Sequence, residues 1–276
     1  MYNDLLRIGP VTIHGYGLMI GLGILAAIWL ADARAPRHGL DRETTWRIIF
    51  ISLAAGLVGA KLLFYIVNFR EIVADPSLLL DLGNGLVVYG GILAGVPAAW
   101  LYCRRKKAPF TAYFDLLIPS VSLAQGFGRI GCFLAGCCYG RETDSWCHIV
   151  FSHSDYAPNG IALYPTQLLS AAGDFAITAV LLLLARRRPR AGTVAATYLL
   201  LYGIGRFLIE FLRDDPRGTV LQLSTSQFIS VFIALGGALL ALRIRNKPAP
   251  EGGGGPAARD GTENVDGNEE NGKEEG

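Results

Sequence analysis

Long apolar runs recur along this chain, each bounded by a short polar or charged link. They occupy residues 11–31, 46–67, 86–102, 110–127, 166–185, 193–212 and 227–242. Most fall within the roughly 17–25 residues that a helix needs to cross a hydrocarbon core about 30 Å thick. No water is available there for backbone N–H and C=O groups, so a helix, which pairs them internally, is the structure such runs dictate. The pattern predicts an all-α polytopic transmembrane bundle of about seven spans. The third run is the shortest and contains Pro97, which a buried, kinked helix tolerates when neighbours satisfy the freed backbone groups. The first run begins almost at once, without a basic stretch or a small-residue cleavage site. It reads as a retained span and not as a removed signal peptide.

The polar links orient the bundle. Arg34, Arg37 and Arg42 follow the first run, and Arg104, Arg105, Lys106 and Lys107 follow the third. Arg186, Arg187, Arg188 and Arg190 follow the fifth, and Arg243, Arg245 and Lys247 the last. These clusters occupy alternate links, so the positive-inside rule puts them all in the cytoplasm, with the N-terminus outside and the C-terminus inside. Residues 1–247 therefore form the membrane domain, with a long external segment at 128–165. Residues 248–276 are Gly-rich and acidic, carry almost no apolar surface, and are expected to be a disordered tail. Composition changes this picture little. Charged residues are 17% of the chain, against about 25% in soluble domains. The formal net charge of +2 hides the contrast between loops and tail and says little about nucleic acid, which is not expected as a partner; the apolar runs make a lipid bilayer one.

Charges inside the runs carry the functional signal. Each costs about 2.5–3.5 kcal/mol on insertion scales, so each needs a reason. Counting about 1.5 Å of rise per residue, Arg206 falls in the outer half of the bilayer, Lys61 at a similar level, and Arg129 just beyond the outer end of the fourth run. Tyr16 and Tyr89 lie near the outer ends of the first and third. Five polar side chains from five runs thus gather at one depth, which predicts a positively charged pocket near the outer leaflet. Arg206, Glu210 and Arg213 share one helix face, and a self-neutralised stripe is the plainer alternative for them. Arg129 has no acid close in sequence. Its guanidinium suits a phosphate, and snorkelling to the headgroups is the alternative. Small-xxx-small spacings such as Gly17 to Gly21 and Gly91 to Gly95 fit close helix packing, or room for a bulky ligand. Cys132, Cys137, Cys138 and Cys147, with His148, imitate a zinc site but lack a C-x₂-C pair, and adjacent cysteines rarely ligate one metal cleanly. Small apolar packing ranks first for them, an external disulfide second and a metal last, so neither metal nor cofactor is expected.

Gly128-Arg129-Ile130-Gly131-Cys132-Phe133, continuing through Gly136-Cys137-Cys138-Tyr139-Gly140, resembles the signature of the prolipoprotein diacylglyceryl transferase family. Further resemblances follow in order: His14-Gly15-Tyr16-Gly17-Leu18-Met19, Tyr89-Gly90-Gly91-Ile92-Leu93-Ala94-Gly95, Tyr164-Pro165-Thr166-Gln167-Leu168, and Tyr202-Gly203-Ile204-Gly205-Arg206-Phe207 with Glu210 and Arg213. Together they cover nearly the whole membrane region. The resemblance implies transfer of the diacylglyceryl group of phosphatidylglycerol to the lipobox cysteine of lipoprotein precursors, with a thioether formed and glycerol phosphate released. It implies a bacterial cytoplasmic (inner) membrane location and an active site towards the periplasm. Arg129 would hold the donor phosphate and Arg206 would stabilise it as it leaves. Lys61, His14, Gly90, Gly91, Gly131, Gly140 and Gln167 would complete the substrate-binding surface. If a general base exists, Tyr89, Tyr16, His14 and Glu210 are the candidates. Cations beside the substrate thiol could also activate it directly. The sequence departs from the family at Tyr89, where some members carry His, and at Cys132 and Cys137, where some carry Asn and Glu. A mechanism built on those side chains does not carry over. A transporter or flippase for an anionic lipid or solute is the alternative from another class.

Overall fold

A computed structural model of the chain describes residues 4–8, 11–79, 85–214, 219–220 and 222–246. The expected tail at 248–276 lies outside the described residues. Strands β1 (Asp4–Ile8) and β2 (Val11–His14) pair antiparallel, with Arg7 opposite Thr12 and Ile8 opposite Val11. The first apolar run therefore divides: its β-branched start, Val11, Thr12 and Ile13, joins a hairpin, and helix α1 (Gly15–Arg34) begins only afterwards. Helix α2 (Arg42–Val67) starts earlier than its apolar run, because the Asp41 carboxylate caps it by accepting the Thr44 N–H at 2.7 Å. A short helix α3 (Phe69–Ala74) precedes α4 (Val88–Lys106), which contains Pro97 and ends in three basic residues. Among the described residues six helices are long and apolar enough to cross a membrane, and α4, the expected third span, is the seventh long helix, packed along α2.

Helix α5 (Phe110–Ala135) runs two turns past its apolar stretch. Arg129 and Cys132, expected in the segment 128–165, accordingly lie within this helix, and that segment leaves the helix only at Gly136. Nothing breaks the helix sooner because its glycines serve packing: a Cβ on Gly126 would strike the Phe175 ring, and one on Gly131 would press on Tyr16 and Met19 of α1. Gly136 ends it at φ 75°. Strands β3 (Ile149–Val150) and β4 (Ala162–Leu163) then order the segment between α5 and the next helix around buried Phe151, Ala157 and Leu163. Helices α6 (Thr166–Arg186) and α7 (Thr193–Ile209) follow, and a 3₁₀ turn, Glu210–Leu212, tightens the end of α7. Strands β5 (Thr219–Val220) and β6 (Leu223–Ser224) lead into α8 (Thr225–Asn246).

The surface is apolar where a soluble protein would be polar: Trp29, Ile66 and Leu93 are each at least 71% exposed, as lipid-facing side chains should be. Hydrophobic burial cannot drive association between helices solvated by lipid tails, so close contact must. α2 meets α4 through glycine on both sides, where a Cβ on Gly59 would sit 2.5 Å from the Gly90 carbonyl oxygen. α7 meets α8 at Gly203 and Gly237 in the same way. At the basic end, the Asp115 carboxylate of α5 accepts the Gly192 N–H at 2.6 Å and the Ala195 N–H at 2.9 Å, capping α7. Arg34 of α1 donates to the Leu116 carbonyl at 2.7 Å. These bonds fix the helix ends and hence the depth of everything on them.

Overpacking gives a direct check. Gly59→Val should lower stability to unfolding in detergent by about 1–3 kcal/mol, because its side chain meets backbone that cannot yield. Gly17→Ala, whose Cβ meets nothing within 4 Å, should stay within about 0.5 kcal/mol of the parent chain.

Candidate active site

Arg206 sits near the end of α7, and its charge is met from two directions. Nη1 donates to Glu210 Oε2 at 2.6 Å, one helical turn on, and Nη2 donates to Ser226 Oγ at 2.8 Å from the start of α8. Glu210 also accepts the Ser224 hydroxyl at 2.8 Å, and Arg213 Nε lies 3.9 Å from its Oε2. The Arg206, Glu210 and Arg213 side chains are at most 10% exposed. Ser224 is itself held by a capping box. Its hydroxyl accepts the Gln227 N–H, and Gln227 Oε1 accepts the Ser224 N–H, both at 3.1 Å. The Ser-Thr-Ser-Gln spacing at 224–227 was the available sequence signal for this. The self-neutralised stripe is thus real, and it serves to fix Arg206.

Beside this network, α5, α6 and α7 line an open cavity of about 260 Å³. Arg129, Ser170, Asp174, Tyr202, Gly205 and Arg206 line it, together with leucine and isoleucine side chains. Arg129 and Arg206, far apart in sequence, face one space. Among the described residues no side chain forms an ion pair or hydrogen bond with the Arg129 guanidinium; its electrostatic neighbours are Cys132, Tyr202, Cys138 and Arg213. Asp174 is buried and acts electrostatically on both arginines. Sequence reasoning missed it, since α6 brings it to Arg129 from 45 positions away (174 − 129). Tyr202, which stacks on Tyr198 with ring centroids 5.4 Å apart, was also missed as a cavity residue, although its motif had been noted.

The remaining expected residues divide. Tyr16 lies within electrostatic range of Arg129 and of Cys132, Cys137 and Cys138, and Tyr89 within range of Tyr202. Lys61 is not on the cavity wall; its ammonium lies over the Phe64 and Tyr65 rings, at 4.9 and 5.2 Å. His14 pairs with Asp4 at 2.7 Å in the exposed hairpin. Gly90 and Gly91 abut Gly59 and Gly56 carbonyls, which is helix packing. Gly131 seats α5 on Tyr16. Gly140 bridges to Arg213, and a Cβ there would lie 2.5 Å from the Tyr164 carbonyl oxygen. Gln167 Nε2 donates to the Cys137 carbonyl at 2.9 Å. The cysteines form no disulfide among the described residues, and Cys132, Cys137 and Cys138 bring their sulfurs together while Cys147 stays apart.

Comparison with known proteins adds a family. The family model described as prolipoprotein diacylglyceryl transferase matches residues 3–243. A phosphatidylglycerol–prolipoprotein diacylglyceryl transferase of Clostridium tetani is 47% identical over 222 residues, covering 80% of this chain and 89% of the relative. A second, from Clostridium perfringens, is 44% identical and covers 83% and 90%. One from Symbiobacterium thermophilum is 30% identical and covers 90% and 94%.

The charge network makes its own prediction. Glu210→Ala leaves two buried arginines without their shared acid and should cost about 3–5 kcal/mol. Ser224→Ala, which removes a cap and one of the acid's donors, should cost about 0.5–2 kcal/mol. Thermal unfolding of both variants in detergent checks the order.

Proposed function

The chain belongs to the prolipoprotein diacylglyceryl transferase family, and on that premise we propose how its cavity carries out the reaction. The protein is a multi-pass membrane enzyme that transfers the diacylglyceryl group of phosphatidylglycerol to a prolipoprotein. In our reading the acceptor is the thiol of the lipobox cysteine, the product is a thioether, and glycerol phosphate leaves. Arg129 carries the argument: an arginine without a side-chain partner among the described residues, facing a cavity that a second arginine also lines.

Arg129 grips the donor phosphate, for which a guanidinium offers donors in matching bidentate geometry. Arg206 is held by Glu210 and Ser226, so it faces the developing charge on the leaving phosphate without having to reorganise. The apolar wall residues accommodate the glyceryl and acyl portions. Asp174 offsets part of the positive potential and so lets the leaving phosphate go. Tyr16, within electrostatic range of Arg129, and Tyr89, within range of Tyr202, are the groups that orient the acceptor. The positions of the basic links support a cavity that opens towards the outer face, the periplasmic side of a bacterial inner membrane in our reading.

Incubating purified protein with phosphatidylglycerol vesicles and a lipobox peptide tests this by mass spectrometry. A diacylglyceryl mass gain on the cysteine is expected, and lipid movement without peptide modification would overturn the reading. Arg129→Ala should reduce transfer by about 10²–10³ or more while the protein still inserts, and Arg206→Lys should impair it severely because lysine lacks the planar fork.

A further inference from the structure

We propose that Cys132, Cys137 and Cys138 form a three-thiolate Zn²⁺ site with an open fourth position, which the acceptor cysteine of the precursor occupies before it attacks. The metal site stands on the cluster itself; its occupant rests on the transferase reading above.

The three sulfurs lie within 4.8 Å of one another. A tetrahedral zinc with Zn–S bonds of about 2.3 Å needs sulfurs about 3.8 Å apart, so closure requires a movement of only about 1 Å. Adjacent cysteines in extended backbone point apart. Here Cys138 takes φ 61°, a left-handed conformation unfavourable for a side-chain-bearing residue, and the two sulfurs converge. The turn is held from all sides: the Cys137 N–H donates to the Cys132 carbonyl at 3.1 Å, Gln167 donates to the Cys137 carbonyl, and Thr166 Oγ1 donates to the Cys138 carbonyl at 3.0 Å. A backbone conformation of this cost persists where its surroundings over-determine it. Small apolar packing would not require three sulfurs to face each other.

Two further observations point to an occupant. Gln167 is 1% exposed, and its Oε1, on the amide that holds Cys137, has no hydrogen-bond partner. It is an acceptor for a donor that arrives with the occupant, a metal-bound water or the substrate's own N–H. The charge also suits an anionic fourth ligand: three thiolates and Zn²⁺ leave one negative charge, while Arg129 and Arg213, two cations, act electrostatically on Cys132 and Cys138. Three protein ligands with one open position is the arrangement of a catalytic zinc, not a closed structural one.

Loading the metal releases the three thiol protons to water, and binding of the acceptor thiol releases a fourth. The bound sulfur then donates its electron pair to the glyceryl carbon. The C–S bond forms as the C–O bond breaks, and that pair leaves on the phosphate oxygen as glycerol phosphate, beside Arg129 and Arg206. The neutral thioether is a weak zinc ligand and departs. No oxidant is involved and no separate general base is required.

The test uses the full-length protein in detergent, with metal content and cobalt spectroscopy as readouts besides transfer. About one zinc per chain is expected, and Cys132→Ser, Cys137→Ser or Cys138→Ser should lower it at least about tenfold, while Cys147→Ser leaves it unchanged. In Co²⁺-loaded protein, a lipobox peptide should shift the thiolate-to-cobalt absorption, and its Cys→Ser analogue should not. Metal-free protein should lose transfer and regain it with added Zn²⁺. Folded protein that takes up neither metal, or that joins two of these cysteines in a disulfide, overturns the site. Full transfer by metal-free protein overturns its part in the reaction and leaves the transferase reading standing. Zinc bound at the three cysteines without any transfer to peptide would instead overturn that reading and not the metal site.

Discussion

The bond between Arg206 and Glu210 inside an apolar bundle is the interaction on which this end of the molecule depends. A charge at that depth is tolerated only when its partners are in place before any substrate arrives. Each partner comes from a different constraint. Glu210 is supplied by the i, i+4 geometry of α7, and Ser226 by the first turn of α8. Ser224 is oriented by its own capping box, so the acid that holds the arginine is itself held. The network leaves Arg206 rigid and neutralised in part, which suits the role proposed for it, meeting charge as it develops and not binding it permanently.

Arg129 is placed by the opposite logic. It rides on the last turns of α5, a helix whose extension past its apolar run depends on Gly126 and Gly131 letting α6 and α1 approach. The same close approach that substitutes for hydrophobic association in lipid therefore also sets the position of the second guanidinium. Packing and chemistry are not separable here. A side chain added at either glycine would push against Phe175 or Tyr16, and Arg129 would move relative to Arg206.

Much of this was legible in the sequence because lipid makes the rules strict. Run length located the long helices, and the arginine clusters marked one common end for them. Depth counting brings Arg129 and Arg206 to one level from the sequence alone. It failed where depth is not enough. Lys61 shares the level but turns over Phe64 and Tyr65 on its own helix, and azimuth cannot be read from a run that is apolar all round. Asp174 was invisible for a related reason: only the packing of α5 on α6 shows what a lone acid in an apolar helix faces. The hairpin at the start of the first run was lost because β-branched residues there count equally towards a span.

The cysteines show most plainly how spacing alone can mislead. The pattern at 132–138 ranks low as a metal site because it lacks a C-x₂-C pair and adjacent cysteines rarely ligate one metal cleanly. One left-handed residue, Cys138, reverses that expectation, and its conformation is held in turn by Thr166 and Gln167 from the start of α6. A helix terminus, a glycine cap and two side-chain donors together convert an unpromising motif into a converging set of sulfurs beside two arginines. If thiol activation and phosphate stabilisation both occur at this end of the bundle, the rigidity of the turn at 136–140 is as much a part of the chemistry as the guanidinium groups. Both reacting partners must be presented at one depth, and in this fold it is the junction of α5 with α6 that sets it.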